Sequence, residues 1–293
     1  MTDLLFNDLE SATNKGRPIP PKTQILVTLR YLGSASLQST VGDAHNLSQP
    51  TVSLCITRVC NALIEKKDTF VNWPTSIRTM QTKFFEIAGF PRVVGVIDGT
   101  HIRIQQPHAT PNAYINRKHY PSINICAVCD VDHKFTFVSV RWPGSCHDSF
   151  VLRQTNLWDE FEGGLREGFI LGDSGYPCRS WLMTPVSVPR ERKEEAYNTA
   201  HTRTRVKIEC AFGMLKKRFR ILHDEMRVPT DKAPTLILVA MILHNIAVDM
   251  KMPSLSEPEF GEDPNDDIET SDESTTTPNG RSMRDFIINS FFS

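Results

Sequence analysis

The sequence predicts an α/β chain, a mixed sheet flanked by helices and preceded by a helical region. Three observations predict it. Apolar residues recur at helical spacing from about Lys22 to Lys67, β-branched runs alternate with helical stretches from Arg92 to about Met250, and the remainder turns polar and acidic. At 293 residues, 40% hydrophobic and 23% charged, the chain is long enough for one large domain or a small domain beside a larger one. Five segments follow: a lead-in over 1–16, a helix-turn-helix-like region over 17–68, a connector over 69–91, a sheet domain over 92–252 and an acidic tail over 253–293. The composition of the tail predicts that it is largely disordered, except that Met283 to Phe292 is apolar enough to dock as a short helix.

The net charge of −1 conceals an asymmetry. From Pro253 onward there are ten Asp and Glu against two Arg, which leaves 31 basic and 24 acidic side chains, a net +7, in residues 1–252. A basic body with an acidic tail suits a polyanionic partner, and a solvated surface explains it as well. The sequence has no run of about 18 apolar residues, so no membrane helix is predicted. The N-terminus, MTDLLFNDLE, lacks the basic flank and apolar core of a signal peptide. Seven scattered cysteines suit a reducing compartment, so the expectation is an intracellular protein.

The helical region has the cadence of a helix-turn-helix. One helix is predicted from about Pro21 to Leu32 and a shorter one from Ser39 to His45; Ser48 then caps a third, with Pro50 in its first turn. Val52, Cys55, Ile56, Val59, Cys60 and Leu63 form one apolar stripe, which leaves Thr51, Ser53, Thr57 and Arg58 outward. Those four would meet base edges in a DNA-binding helix-turn-helix. A plain three-helix bundle that touches no nucleic acid fits the same spacing equally well.

The sheet domain opens on Val93 to Ile104, a buried central strand with Asp98 in its middle. A carboxylate there needs a cation or donor to offset its desolvation. A hairpin of Ser122 to Cys129 and Phe135 to Trp142 follows, then a turn from Pro143 to Ser149 that opens a helix reaching about Phe161. Gly168 to Leu171 is a further strand, with Asp173 just past its end, and Trp181 to Pro185 is a short apolar piece. A polar stretch from Arg190 to Thr202 leads into a long helix from about Thr204 to Ile221, whose core stripe is Ile208, Ala211, Phe212, Leu215, Phe219 and Leu222. Glu209 lies beside that stripe among Arg205, Lys216, Lys217 and Arg220. It is either an i,i+4 salt-bridge partner or a metal-binding carboxylate on a phosphate-holding face.

The spacing favours the second reading. A mid-strand acid, an acid ending a later strand and an acid on a late helix converge at the end of a sheet, where hard oxygen ligands would hold two Mg²⁺ or Mn²⁺ ions. Such a pair serves in-line attack on a phosphodiester. The order of strand, hairpin, helix, strand and helix is that of a ribonuclease H-like fold.

Other signatures are weaker. Cys126 and Cys129 point to opposite faces of a strand, so they make no zinc site. Gly172-Asp173-Ser174-Gly175 matches a serine-protease signature by letters, but the chain lacks the two antiparallel barrels of that fold, and Ser174 is read as a turn residue. His147-Asp148 is read first as a turn cap, and second as a pair that positions a metal or a water. His101 is read as structural or as a support to the site, because it faces away from Asp98. His244 and Asn245 are read as packing or capping residues. Lys118 is a phosphate contact or simply solvated.

Asp98 in VIDGTHIRI, Asp173 in LGDSGYP and Glu209 in RVKIECAFGMLKKRF together resemble the Asp-Asp-Glu motifs of the PIF/Harbinger transposases. Tyr114 to Lys118, Arg141 to Ser145, His147 to Ser149, Leu243 to Ile246, Gly42-Asp43 and Leu47 to Val52 support the resemblance, which covers about residues 16–250. The resemblance implies a divalent-metal nuclease with a ribonuclease H-like core, catalytic Asp98, Asp173 and Glu209, and an N-terminal DNA-binding helical region. It further implies DNA as substrate, a Myb/SANT-like partner protein and work in the nucleus, with the cytoplasm a second compartment and a homo-oligomer compatible with it. The lead-in before Gly16 is short for that family. A domesticated DNA-binding protein that kept the fold and lost turnover is the alternative.

Overall fold

The computed structural model describes residues 1–11, 18–253 and 276–292. Its strands are β1 (Val93–Arg103), β2 (Ser122–Cys129), β3 (Phe135–Pro143), β4 (Phe169–Leu171) and β5 (Leu182–Met183). They form one sheet in the order β3-β2-β1-β4-β5. The first three run antiparallel, and β4 and β5 then add parallel to β1. This mixed five-stranded sheet, with helices on both faces, is a ribonuclease H-like fold. The long β-branched run of β1 sits at its centre, as its sequence predicts.

The helices before the sheet are α1 (Thr2–Leu9), α2 (Pro21–Ser34), α3 (Gln38–Asp43), α4 (Gln49–Glu65), α5 (Lys67–Phe70) and α6 (Ile77–Ala88). Those after it begins are α7 (Asp148–Arg153), α8 (Asn156–Glu162), α9 (Arg192–Arg218), α10 (Ala233–Asp249) and α11 (Pro278–Phe291). One face of the sheet packs on α6, α9 and α10, the other on α7 and α8. Cys126 and Cys129 fall in the two different cores, on opposite faces, as strand alternation requires.

The three predicted helices of the helical region are present. Ser48 caps α4 by accepting from the Thr51 N–H, and the whole apolar stripe from Val52 to Leu63 is buried. The segment between α3 and α4 folds back on Gly42, in the last turn of α3, where a Cβ would lie 2.4 Å from the Leu47 carbonyl oxygen. Only glycine fits there. The region shares one continuous core with the sheet domain, because α4 packs against α10.

Four expectations differ from the structure. The lead-in holds α1, whose Leu5 and Leu9 are fully buried against α2 and α4. The helix expected after the turn at 143–149 is two helices, because Thr155 caps α8 through the Trp158 N–H. The polar stretch before the long helix is itself helical: α9 starts at Arg192 through reciprocal capping by Glu191 and Glu194, and it ends at Arg218, short of Ile221. In the tail, the helix expected to dock from Met283 to Phe292 is present but starts earlier, at Pro278: α11 docks Ile287 and Ile288 into the core and sets Phe292 against Phe90 and Tyr197. The predicted disorder of residues 254–275 lies outside the described residues. Among the described residues no helix is long and apolar enough to cross a membrane.

Two buried imidazoles tie α9 and α10 to the rest. His244 Nδ1 lies 3.1 Å from the Arg218 guanidinium, a donor, so the ring is the tautomer whose Nε2–H donates to the His133 carbonyl at 2.9 Å. His201 Nε2 donates to the Met183 carbonyl at 3.1 Å. Burial pushes both rings down from 6.5 to about 4. A depressed histidine stabilises the fold fully above its unfolded value, near 6.5, and loses that contribution as pH falls, completely by about pH 4. Each imidazole is worth about 3 kcal/mol over that window. Urea midpoints measured from pH 7.5 to 4.5 are therefore expected to fall steeply; a flat profile contradicts neutral burial of these rings.

Candidate active site

Register brings the first two acids together. Val96 of β1 pairs in parallel with Leu171, the last residue of β4, so Asp173 follows two residues past the strand end, and its charge reaches Asp98. Asp98 Oδ1 accepts the Gly99 N–H at 2.8 Å, and Asp173 Oδ1 accepts the Gly175 N–H at 3.1 Å. Ser174 sits in the turn that this second bond closes, as read from sequence.

The third acid arrives on α9, which packs across β1. Its Arg205 donates to Asp98 Oδ2 at 2.7 Å and, through its other terminal nitrogen, to Glu209 one turn later. The guanidinium is thus a clamp between the first and third carboxylates, with 19% of its side chain exposed. Lys216, two turns further along α9 from Glu209, donates to Thr100 Oγ1 at 2.8 Å, on the same face of β1 as Asp98. Burial raises the Asp98 carboxyl well above the usual carboxylate range; Arg205 opposes that shift, and the charges of Asp173 and Asp148 add to it. Arg205 thus links the first and third acids, and the charge of the second reaches the first.

Asp148 is the residue whose weight the sequence understates. His147 is the N-cap residue of α7, but its side chain makes no cap bond. Asp148 instead accepts from Asn124 Nδ2 at 2.7 Å and lies over Gly99. A Cβ on Gly99 would stand 2.2 Å from Asp148 Oδ2. The missing side chain in Asp98-Gly99 is the signal that could have revealed a fourth carboxylate beside the first. Gly99→Ala is expected to push Asp148 off Asn124 and destabilise the fold by about 1–3 kcal/mol. An unchanged denaturation midpoint would show that this approach is slack.

The expected DNA contacts fall in three places. Lys118 is exposed on the loop before β2, and Lys217 is exposed near the end of α9. Arg220, also exposed, pairs with Asp224 at 3.3 Å, while Arg205 and Lys216 are engaged inside the site. On α4, Thr51 is half-buried, and Arg58 does not point freely outward: it donates to the Leu9 carbonyl at 2.9 Å and anchors α1. Ser53 and Thr57 line a cleft of about 860 Å³ shared with Asp224, Glu225 and Asp231.

Among the described residues, no group of three His, Cys, Asp or Glu side chains is gathered so as to hold an ion. Arg205 stands between Asp98 and Glu209. The chemistry of the donor set, carboxylate oxygens converging on one cationic group, nevertheless fits a hard divalent cation.

A family model described as DDE superfamily endonuclease matches residues 97–245, a span that holds Asp98, Asp173 and Glu209. The chain belongs to this family. Within the DDE family its relatives place it with the Harbinger transposase-derived nucleases. It is 37% identical over 268 residues to "Putative nuclease HARBI1" of Bos taurus and to that of Homo sapiens, covering 89% of this chain and 77% of each relative. It is 31% identical over 263 residues to "Protein ALP1-like" of Arabidopsis thaliana, covering 83% of this chain and 64% of that one.

Proposed function

We propose that this DDE-family chain is a metal-dependent endonuclease that cleaves DNA phosphodiester bonds at Asp98, Asp173 and Glu209. The observation that carries the reading is the convergence of these carboxylates about Arg205 within the matched span. Two Mg²⁺ or Mn²⁺ ions held by them would activate a water or 3′-hydroxyl and stabilise the leaving oxygen. The chain itself supplies the rest. β1 carries Asp98, the turn after β4 carries Asp173, α9 delivers Glu209, and Arg205 holds Asp98 and Glu209 in place. Lys118 and Lys217 are the exposed cations proposed to meet the phosphate backbone. From the family resemblance, the nucleus is the proposed place of action and a Myb/SANT-like protein the proposed partner.

A second reading, a domesticated DNA-binding protein without turnover, draws on one observation: Arg205 already neutralises two of the three acids. The two readings separate in one experiment. Asp173→Asn is expected to lose Mg²⁺- or Mn²⁺-dependent DNA cleavage and keep salt-sensitive DNA binding. Wild-type protein that binds DNA but fails to cleave it with any divalent cation supports the second reading.

A further inference from the structure

The connection between β4 and β5, Gly172 to Trp181, carries Asp173 near its start. Two of its amides bond Asp173 itself: the Gly175 N–H donates to Oδ1 at 3.1 Å, and the Tyr176 N–H donates to the Asp173 carbonyl at 3.3 Å. The Tyr176 ring is buried and folds back against Gly172. Burial pushes its phenol well above the usual range, and Cys126, Asp148, Asp98 and Asp173 add to that shift. The turn thus packs beside the carboxylate cluster.

Two residues after Tyr176, a segment 98 residues later in the chain grips this connection. Cys178 is buried; its N–H donates to Thr276 Oγ1 at 3.3 Å, and its carbonyl accepts the Thr277 N–H at 3.3 Å. Thr277 in turn caps α11 by accepting the Gly280 N–H at 3.1 Å. The first turn of that helix lies directly on the backbone of the connection. A Cβ on Gly280 would stand 2.3 Å from the Cys178 carbonyl oxygen and 2.8 Å from Arg179 Cα. Neither atom belongs to a flexible side chain that could swing aside, so the approach needs glycine. One turn later, Arg284 donates to the Pro185 carbonyl at 3.0 Å, just past β5. The apolar anchors of α11, Ile287, Ile288 and Phe292, lie at its other end, so these contacts at its start are a separate attachment.

We propose that the start of α11, through Thr276 and Gly280, positions Asp173 for the cleavage reaction by fixing the turn between Asp173 and Cys178. The proposal rests on the carboxylate cluster being the cleavage site. One end of the turn is set by β4, and the tail sets the other. A misplacement of about 1 Å at a reacting group costs on the order of a hundredfold in rate, so a slack turn would be felt at Asp173. Thr276 and Gly280 touch no reacting atom and act only through the turn, as positioning residues.

Four variants of the full chain test it. Gly280→Ala forces α11 off the Cys178 backbone. Thr276→Val removes the acceptor with little change of shape, and Thr276→Ser restores it. Ile287→Val loosens the same helix two turns away and reports what lost stability does alone. Plasmid cleavage with Mg²⁺ is resolved into kcat and KM. Hydrogen exchange over residues 172–178, followed by mass spectrometry, reads the Gly175 and Tyr176 amides that bond Asp173. Gly280→Ala is expected to lower kcat about tenfold or more, to leave KM for DNA within about twofold of wild type, and to speed exchange over 172–178. Thr276→Val is expected to move kcat and exchange the same way by about threefold, while Thr276→Ser and Ile287→Val stay within about twofold of wild type. If Gly280→Ala fails to fold, the Thr276 pair carries the test. Unchanged kcat in both Gly280→Ala and Thr276→Val overturns the proposal, and so does an equal loss in Ile287→Val. Unchanged exchange over 172–178 in both overturns the hold on the turn itself. Should wild-type protein cleave no DNA while exchange still rises in Gly280→Ala but not in Ile287→Val, the cleavage reading fails and the hold on the turn stands.

Discussion

Asp98→Asn is expected to reduce metal-dependent DNA cleavage by about a thousandfold or more, to background. The size follows from the position of the residue. Asp98 lies in the middle of the central strand, feels the charge of Asp173, and is clamped to Glu209 through Arg205. Asparagine keeps the shape and the Gly99 N–H bond but removes the charge that a divalent cation and Arg205 both need. Because the strand still pairs on both sides, the loss is expected in kcat with the fold intact. Glu209→Gln is expected to behave alike at the other end of the clamp. Cleavage within about tenfold of wild type in Asp98→Asn would remove that residue from the reaction.

Asn245→Leu is expected to destabilise the fold by about 3–5 kcal/mol without touching the site. Asn245 is fully buried on α10. Its Oδ1 accepts the Phe135 N–H at 2.8 Å, and its Nδ2 donates to the Phe70 carbonyl at 2.8 Å and the Phe135 carbonyl at 2.7 Å. One side chain thus joins the end of α5, the start of β3 and α10. Leucine fills a similar volume and leaves one donor and two acceptors unpaired in an apolar surround. Equilibrium urea unfolding measures the loss, and a change below about 1 kcal/mol would show that water replaces these bonds.

Much of this was legible because it depends on short-range pattern. The β-branched run of β1, the hairpin and the stripes of α4 and α9 each bury one face, and their periods declare it. Asp98 and Asp173 could be placed because each belongs to a strand visible in the sequence. The start of α9 was hidden for a physical reason. Its first turns carry charged side chains, and the buried set there, Tyr197, Ala200, His201 and Thr204, is too mixed in polarity to read as a stripe. The Arg205 clamp was hidden differently. A helical arginine four residues before a glutamate reads as a surface pair, and only the packing of α9 across β1 turns its other nitrogen onto Asp98. Asp148 depends on Gly99, 49 residues earlier, having no side chain, a relation that no local pattern carries. The two unpredicted terminal stretches, α1 and the start of α11, are too short to show a stripe, the first being half polar, and are held by a few buried residues such as Leu5, Leu9 and Gly280.

The most direct measurement is cleavage of supercoiled plasmid by the purified full chain with Mg²⁺ or Mn²⁺, beside the same reaction in EDTA. Nicked or linear product that forms only with the divalent cation, and disappears in Asp98→Asn, is the expected result. Intact plasmid with every divalent cation, under conditions where the chain binds DNA, would contradict it.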